Sequence, residues 1–387
     1  MSHNPFYDPS LRGRHRSARL FKFYARASII LSLFFLLFFL FDMARTAFPA
    51  LWQTYVNVEV TYSQKTVKST SRAVDRKYRN VVSRAWLREI PKQVELNPDL
   101  MGTTVKLWVL ADDKVDQFMK GHHHQLKMKQ QKTVEELKKN HDIKLDWNSV
   151  FLTRGDSKLP ENAGILSALV GSVFTLIVTM LLAVPIGVMT AVYLEEFARD
   201  TRLSRMIEVN INNLAAIPSI LFGLLGLSVF INLFGLPRSS PLVGGMTLAL
   251  MTLPIIIVSS RAALRAVPDS IRQAGYGLGL THVQVVQGCV LPIALPGILT
   301  GSIIGLAQAM GETAPLIIIG MIAFIPDAPG SITEAATVLP AQIYTWAGMP
   351  ERAYVEKTAA GIVVILFILL SLNSVAIYLR KKYEIKW

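Results

Sequence analysis

Apolar runs of roughly 20 residues, the length a helix needs to cross a bilayer, recur along this chain between polar, charged stretches. Six are present, at about 24–44 (core SIILSLFFLLFFLF), 164–194, 211–235, 241–262, 291–325 and 358–379. The first is no cleavable signal, because its apolar core is too long and no small-residue cleavage site follows. Between the first two runs the pattern changes. VNVEVTYS (57–64) and TVKLWVLAD (104–112) alternate apolar and polar positions as strands do, and 114–142 reads as helix interrupted near Gly121. The expected fold is therefore an all-α polytopic membrane protein with six transmembrane helices and a small α+β insertion after the first.

Composition agrees. Of 387 residues, 51% are hydrophobic and only 17% charged, against about a quarter charged in soluble domains. The net charge of +13 would suggest nucleic acid on a soluble protein. On a membrane protein it reads as anchoring to anionic lipid, with no nucleic-acid partner. Arg12, Arg14, Arg16, Arg19, Lys22 and Arg26 precede the first run against Asp8, and Arg380, Lys381, Lys382 and Lys386 follow the last against Glu384. Basic flanks mark the cytoplasmic side, so both termini are expected there. The layout is then a basic tail (1–23), helix 24–44, an external domain (45–160), a core of five helices (164–380) and a tail (380–387). The single cysteine, Cys289, excludes an internal disulfide.

Catalytic signatures are missing. There is no GxxxxGK[ST] phosphate loop, GxSxG elbow, HExxH or CxxC, so a conduit is favoured over an enzyme. His122-His123-His124 could ligate metal, but adjacent helical residues do not share a face and no acidic or Cys partner is evident. A solvated surface is the plainer reading. The loop RAALRAVPDSIRQAGYGLGLTHVQVVQGCVLPIALPGI (261–298) is more informative. A helix-capable segment, Ser270–Leu278, follows Asp269 or Ser270 as N-cap. Gly279 breaks it, and Thr281–Val290 runs on to Leu291-Pro292. A helix–glycine–helix elbow between two spans is a docking element.

The spacing resembles the EAA loop of ABC importer permeases, E-A-A-x3-G-x9-I-x-L-P, aligned as Gln273-Ala274-Gly275, Gly279, Cys289, Leu291 and Pro292. VYLEEFA (192–198), NLAAIPSILFGLLGL (213–227), LRAVPDSIRQAGYGLG (264–279), LPGILTGSIIGLAQAMGETAPL (295–316) and LPAQIYTWA (339–347) look like the PstA-type permeases of phosphate-specific ABC importers. The resemblance covers about 164–380 and implies the type I ABC importer permease fold in a bacterial inner membrane. It also implies a homologous second permease, an ATPase dimer that binds ATP and magnesium, and a periplasmic phosphate-binding protein. This chain itself would hold no cofactor or metal. The elbow at 264–292, with Arg272, would sit in a groove of the ATPase. Two positions depart from the family: Gln273 stands for the usual glutamate and Gly275 for the second alanine. The insertion at 45–160 is much longer than the family's usual link.

Pathway candidates are fewer. Asn213 and Pro218-Ser219 suggest a broken helix with its N-terminus toward the pathway, or else a packing kink. Arg261 could guide an anion out or anchor the interface; Glu195 and Glu196 read as solvated interface or ATPase contacts. Glu312 and Thr313 lie in GETAP inside an apolar run, where Gly311 and Pro315 can break the helix. A carboxylate repels phosphate, so Glu312 reads as a gate or counter-charge, or as a carboxyl hydrogen-bonded within the bundle. The alternatives to a phosphate permease are a permease for another oxyanion or polar solute, and a membrane sensor or scaffold working through 45–160.

Overall fold

The computed structural model describes residues 10–322 and 324–383. Asp8, Glu384 and Lys386 of the two tails lie outside them.

The first helix, α1, is Ser10–Ala47. It does not begin near 24 as the apolar run suggests. The basic segment simply continues the helix, and 38 residues extend about 57 Å at 1.5 Å per residue. Nearly every side chain from 14 to 41 on α1 is exposed, the apolar ones in position to face lipid.

The insertion domain carries a three-stranded antiparallel sheet in the order β2-β1-β3: β1 is Trp52–Thr61, β2 Thr104–Leu110 and β3 Ile143–Trp147. Val56, Val58 and Val60 turn inward along β1 while Glu59 and Thr61 face out, as a strand's two-residue period requires. The register sets Val58 opposite Leu107 and Tyr55 opposite Lys144. The helical stretch expected at 114–142 is two helices, α2 (Asp113–Met119) and α3 (Met128–Lys139), with Gly121 at φ +74° between them. Val115, Val134 and Leu137 from these helices close one core with the valines of β1.

The apolar core follows. α4 is Leu166–Val192 and runs into a π-helical stretch, Tyr193–Phe197. The expected third span is not one helix. α5 (Arg202–Ala215) and the segment Ser219–Leu233, which opens with α6 (Ser219–Leu225), are bent by 104°. Pro218 breaks the chain there, since it lacks the N–H a continuous helix would use. α7 (Pro241–Arg265) is the most enclosed span. α8 (Asp269–Gly277), α9 (His282–Val285) and a second π stretch, Val286–Val290, form the elbow. α10 is Leu291–Gly311, and α11, Ala314–Ile318, follows Glu312 and Thr313. The run 291–325 is thus broken at the glycine and proline of GETAP. α12 (Leu339–Ala347) and α13 (Arg352–Tyr383) complete the chain. Five helices among the described residues are long and apolar enough to span, and the bent pair makes a possible sixth.

The insertion domain is fastened to the bundle by buried charges. Lys120 sits between Asp116 (2.6 Å) and Glu356 (3.2 Å), and His122 Nδ1 lies 2.8 Å from Glu356. Lys357 donates to the carbonyl of Ala163, and Trp346 Nε1 donates to Asp156 at 2.9 Å. His122 is therefore a structural partner of the last span and not a solvated residue.

Candidate functional site: the elbow and the broken span

The elbow lies at the end of α4 opposite the insertion domain. Its first helix begins after Pro268, with no side-chain cap. Asp269, expected as a possible cap, instead lies 3.3 Å from Arg272. Gly279 has φ +78°, and a methyl group added there would meet nothing within 4 Å, so the turn selects glycine for backbone conformation and not for space. Gly275 is selected for space. A methyl group there would stand 2.8 Å from Val285 Cγ2, so the departure from alanine lets the two limbs of the elbow close on each other.

Arg272 is turned inward. Its Nη2 lies 2.7 Å from Glu196 and its Nε 3.3 Å, while Nη1 donates to the carbonyl of Val267 and Nη2 to that of Leu264. It thus binds the end of α7 to the end of α4. Arg261 is also engaged, 3.2 Å from Glu195 and 2.9 Å from Glu208, and Arg265 is 2.8 Å from Glu195. Arg261 is therefore not a free anion guide. Glu196, whose side chain is only 4% exposed, is not solvated interface. Three arginines meet three glutamates and Asp269 in one cluster. His282 joins it: Nε2 bonds to the carbonyl of Glu196 at 2.8 Å, Nδ1 meets the Tyr276 hydroxyl, and Phe197 packs edge-on. With Nε2–H donating, Nδ1 accepts from the tyrosine, so one neutral tautomer serves both bonds. The sequence reading missed Glu208 and His282, because their partners lie 53 and 86 residues away.

What remains open on the elbow is Gln273, Ala274, Tyr276, Leu278, Val283 and Gln284. Leu278, at the tip, is 82% exposed. Leu291 is half-buried and Pro292 exposed where α10 begins. A protruding leucine flanked by a tyrosine and a valine is a shape made to enter a partner's groove.

The second feature is where the broken span meets GETAP. α6 packs on α11 so closely that a Cβ on Gly223 would lie 2.7 Å from the Cα of Pro315. The two most distinctive sequence stretches are thus in contact. Pro218 and Asn213 are exposed beside them and Ser219 is half-buried. Thr313 precedes α11 without capping it by its side chain. Glu312 ends α10 in extended conformation (φ −77°, ψ 122°) and is half-buried. Among the described residues its carboxylate has no hydrogen-bond or ion-pair partner, so the bond within the bundle is not made in this chain. α10 rises about 30 Å from the elbow to this point.

Long apolar helices around a broken span, with an elbow tied to the ends of two of them, define a multi-pass membrane protein. The chain belongs to the family of binding-protein-dependent transport system inner membrane components, whose model matches residues 183–384. It is accordingly an inner-membrane transport permease. Residues 8–77 and 64–128 match a domain of unknown function. The phosphate transport system permease protein PstA 1 of Mycobacterium tuberculosis is 33% identical over 224 residues, 57% of this chain and 73% of its own. The phosphate transport system permease protein PstA of Haemophilus influenzae is 32% identical over 213 residues, 55% of this chain and 74% of its own.

Proposed function

We propose that the chain is one permease of an ATP-driven importer of inorganic phosphate, with both termini cytoplasmic and the insertion domain external. The names of its relatives support the substrate. The observation that carries the mechanism is the Arg272–Glu196 tie, which joins the elbow to the end of α4. The Tyr276–Leu278 rim enters a groove of an ATPase dimer, which binds ATP and magnesium and performs the hydrolysis. This chain holds no cofactor and catalyses nothing. When the ATPase closes, the elbow moves, and α10 carries the displacement through Leu291 to Glu312. A homologous second permease supplies the other half of the pathway, lined here by Asn213, Pro218, Ser219 and Thr313. An external phosphate-binding protein delivers the ion, and lipid covers α1. Labelled phosphate uptake by cells lacking their own system, with and without this chain, tests the reading; uptake that ignores the chain contradicts it.

Glu312, without a partner in its own chain, serves as a gate: it meets a cation of the second permease in one state and repels anions in the other. Glu312→Gln is expected to slow transport at least severalfold and flatten its pH dependence. An unchanged rate and pH profile would remove the gating role.

A further inference from the structure

The insertion domain meets the start of the last span across a crevice of about 320 Å³, within the usual size range for small-molecule sites. Asp113, Lys114, Gln117 and His123 line it from the domain, and Arg352 lines it from the span. Gln117 is 3% exposed, yet neither its Nε2 nor its Oε1 has a hydrogen-bond partner. A buried amide left open at both ends is costly to the fold. It is explained most simply by something that binds there. Among the described residues the side chains of Lys114 and Arg352 make no ion pair, and no three metal-ligating side chains converge. Burial, and then the charge of and hydrogen bond with the neighbouring Asp112, push the Asp113 carboxyl up to about 7, so near neutrality it repels an anion less than an ordinary carboxylate would. Glu351 also lines the crevice, and like Arg352 it is exposed.

We propose that this crevice binds a small anion carrying both charged oxygens and a hydroxyl, namely phosphate as the free ion or as a simple monoester. The charged oxygens accept from Lys114, Arg352 and the Gln117 amide N–H. The P–OH donates to Gln117 Oε1. Sulfate at neutral pH has the oxygens but no proton to donate, and would leave Oε1 open; a site that pairs a buried polar group discriminates strongly against an analogue that cannot. The choice of phosphate among protonated oxyanions rests on the transport reading, whereas the pattern of donors and acceptors does not.

Equilibrium binding of labelled inorganic phosphate to the purified full chain, without ATPase, tests this. Saturable binding is expected, with sulfate at least tenfold weaker as a competitor. Gln117→Leu and Arg352→Gln should each weaken binding about tenfold or more, the scale of one hydrogen bond to a charged group. Gln117→Leu removes an unpaired amide, so its unfolding temperature without phosphate should hold or rise, which separates lost binding from lost fold. Glycerol phosphate competing more tightly than phosphate assigns the ester; weaker competition assigns the free ion. No binding, equal competition by sulfate, or full binding by Gln117→Leu would overturn the site. Failure here with uptake still dependent on the chain leaves the transport function standing. Binding at the crevice in a chain that supports no uptake does the reverse.

Discussion

The two ends of the bundle are both fastened by ion pairs, and they are fastened differently. At the elbow, Arg261, Arg265 and Arg272 each pair with one or two of Glu195, Glu196 and Glu208, and Arg272 also with Asp269. At the insertion domain, Lys120 and His122 pair with Asp116 and Glu356, whereas the half-buried Asp112 and Asp113 and the buried Glu161 have no ion pair among the described residues. The guanidiniums and carboxylates of the elbow cross-link the ends of α4, α5 and α7. Buried carboxyls without a pairing cation offset the cost of burial by holding protons. Burial raises the carboxyls of Asp112, Asp113 and Glu161 above the ordinary range. The elbow is thus held by ion pairs, whereas the opposite junction contains carboxyls that respond to pH.

The largest effect is expected at the junction. Lys120→Met leaves Asp116 and Glu356 facing each other, each with a side chain 6% exposed. Removing one partner of a buried pair costs about 3 kcal/mol or more, which chemical unfolding of the full chain can read. Glu196→Gln at the elbow ranks next. It keeps the shape but weakens the hydrogen bonds to Arg272 by about 2 kcal/mol. Uptake should fall more steeply than stability, because the tie goes slack without the fold being lost; equal falls in both would make the pair merely structural.

The smallest effect concerns pH. Asp113 binds its proton more tightly folded than unfolded, with the native value near 7. Its ionisation therefore disfavours the docked domain, and stability is lost as pH rises from the unfolded value toward 7, then levels off. Asp112 and Glu161 shift in the same direction. Protease sensitivity of the 112–163 junction should rise between pH 5 and 8, and Asp113→Asn should flatten that rise. An unaltered slope would assign it to other groups.

Much of the bundle was legible because periodicity and length are local properties. The apolar runs located the spans, Gly279 located the elbow, and Gly311 with Pro315 located the break after α10. The two strands with long alternation were readable, but β3 was not, since IKLDW is short and exposed along most of its length. The ion pairs were illegible for another reason. Arg272 and Glu196 are 76 residues apart, and His122 and Glu356 are 234 apart. Nothing in either stretch names its partner. Arg261 therefore reads as an anion guide or interfacial anchor, and the two glutamates as solvated interface or ATPase contacts, until the fold brings them together. The helical basic tail was missed because a charged sequence without apolar periodicity gives no sign of continuing a helix.

The coupling role of the elbow is tested most directly at Gly279, where space is open but φ is +78°. ATP-driven uptake of labelled phosphate should be abolished by Gly279→Trp, with membrane insertion intact, and largely kept by Gly279→Asn, since asparagine tolerates the left-handed region. Full uptake by the tryptophan variant would show that motion does not pass through the elbow.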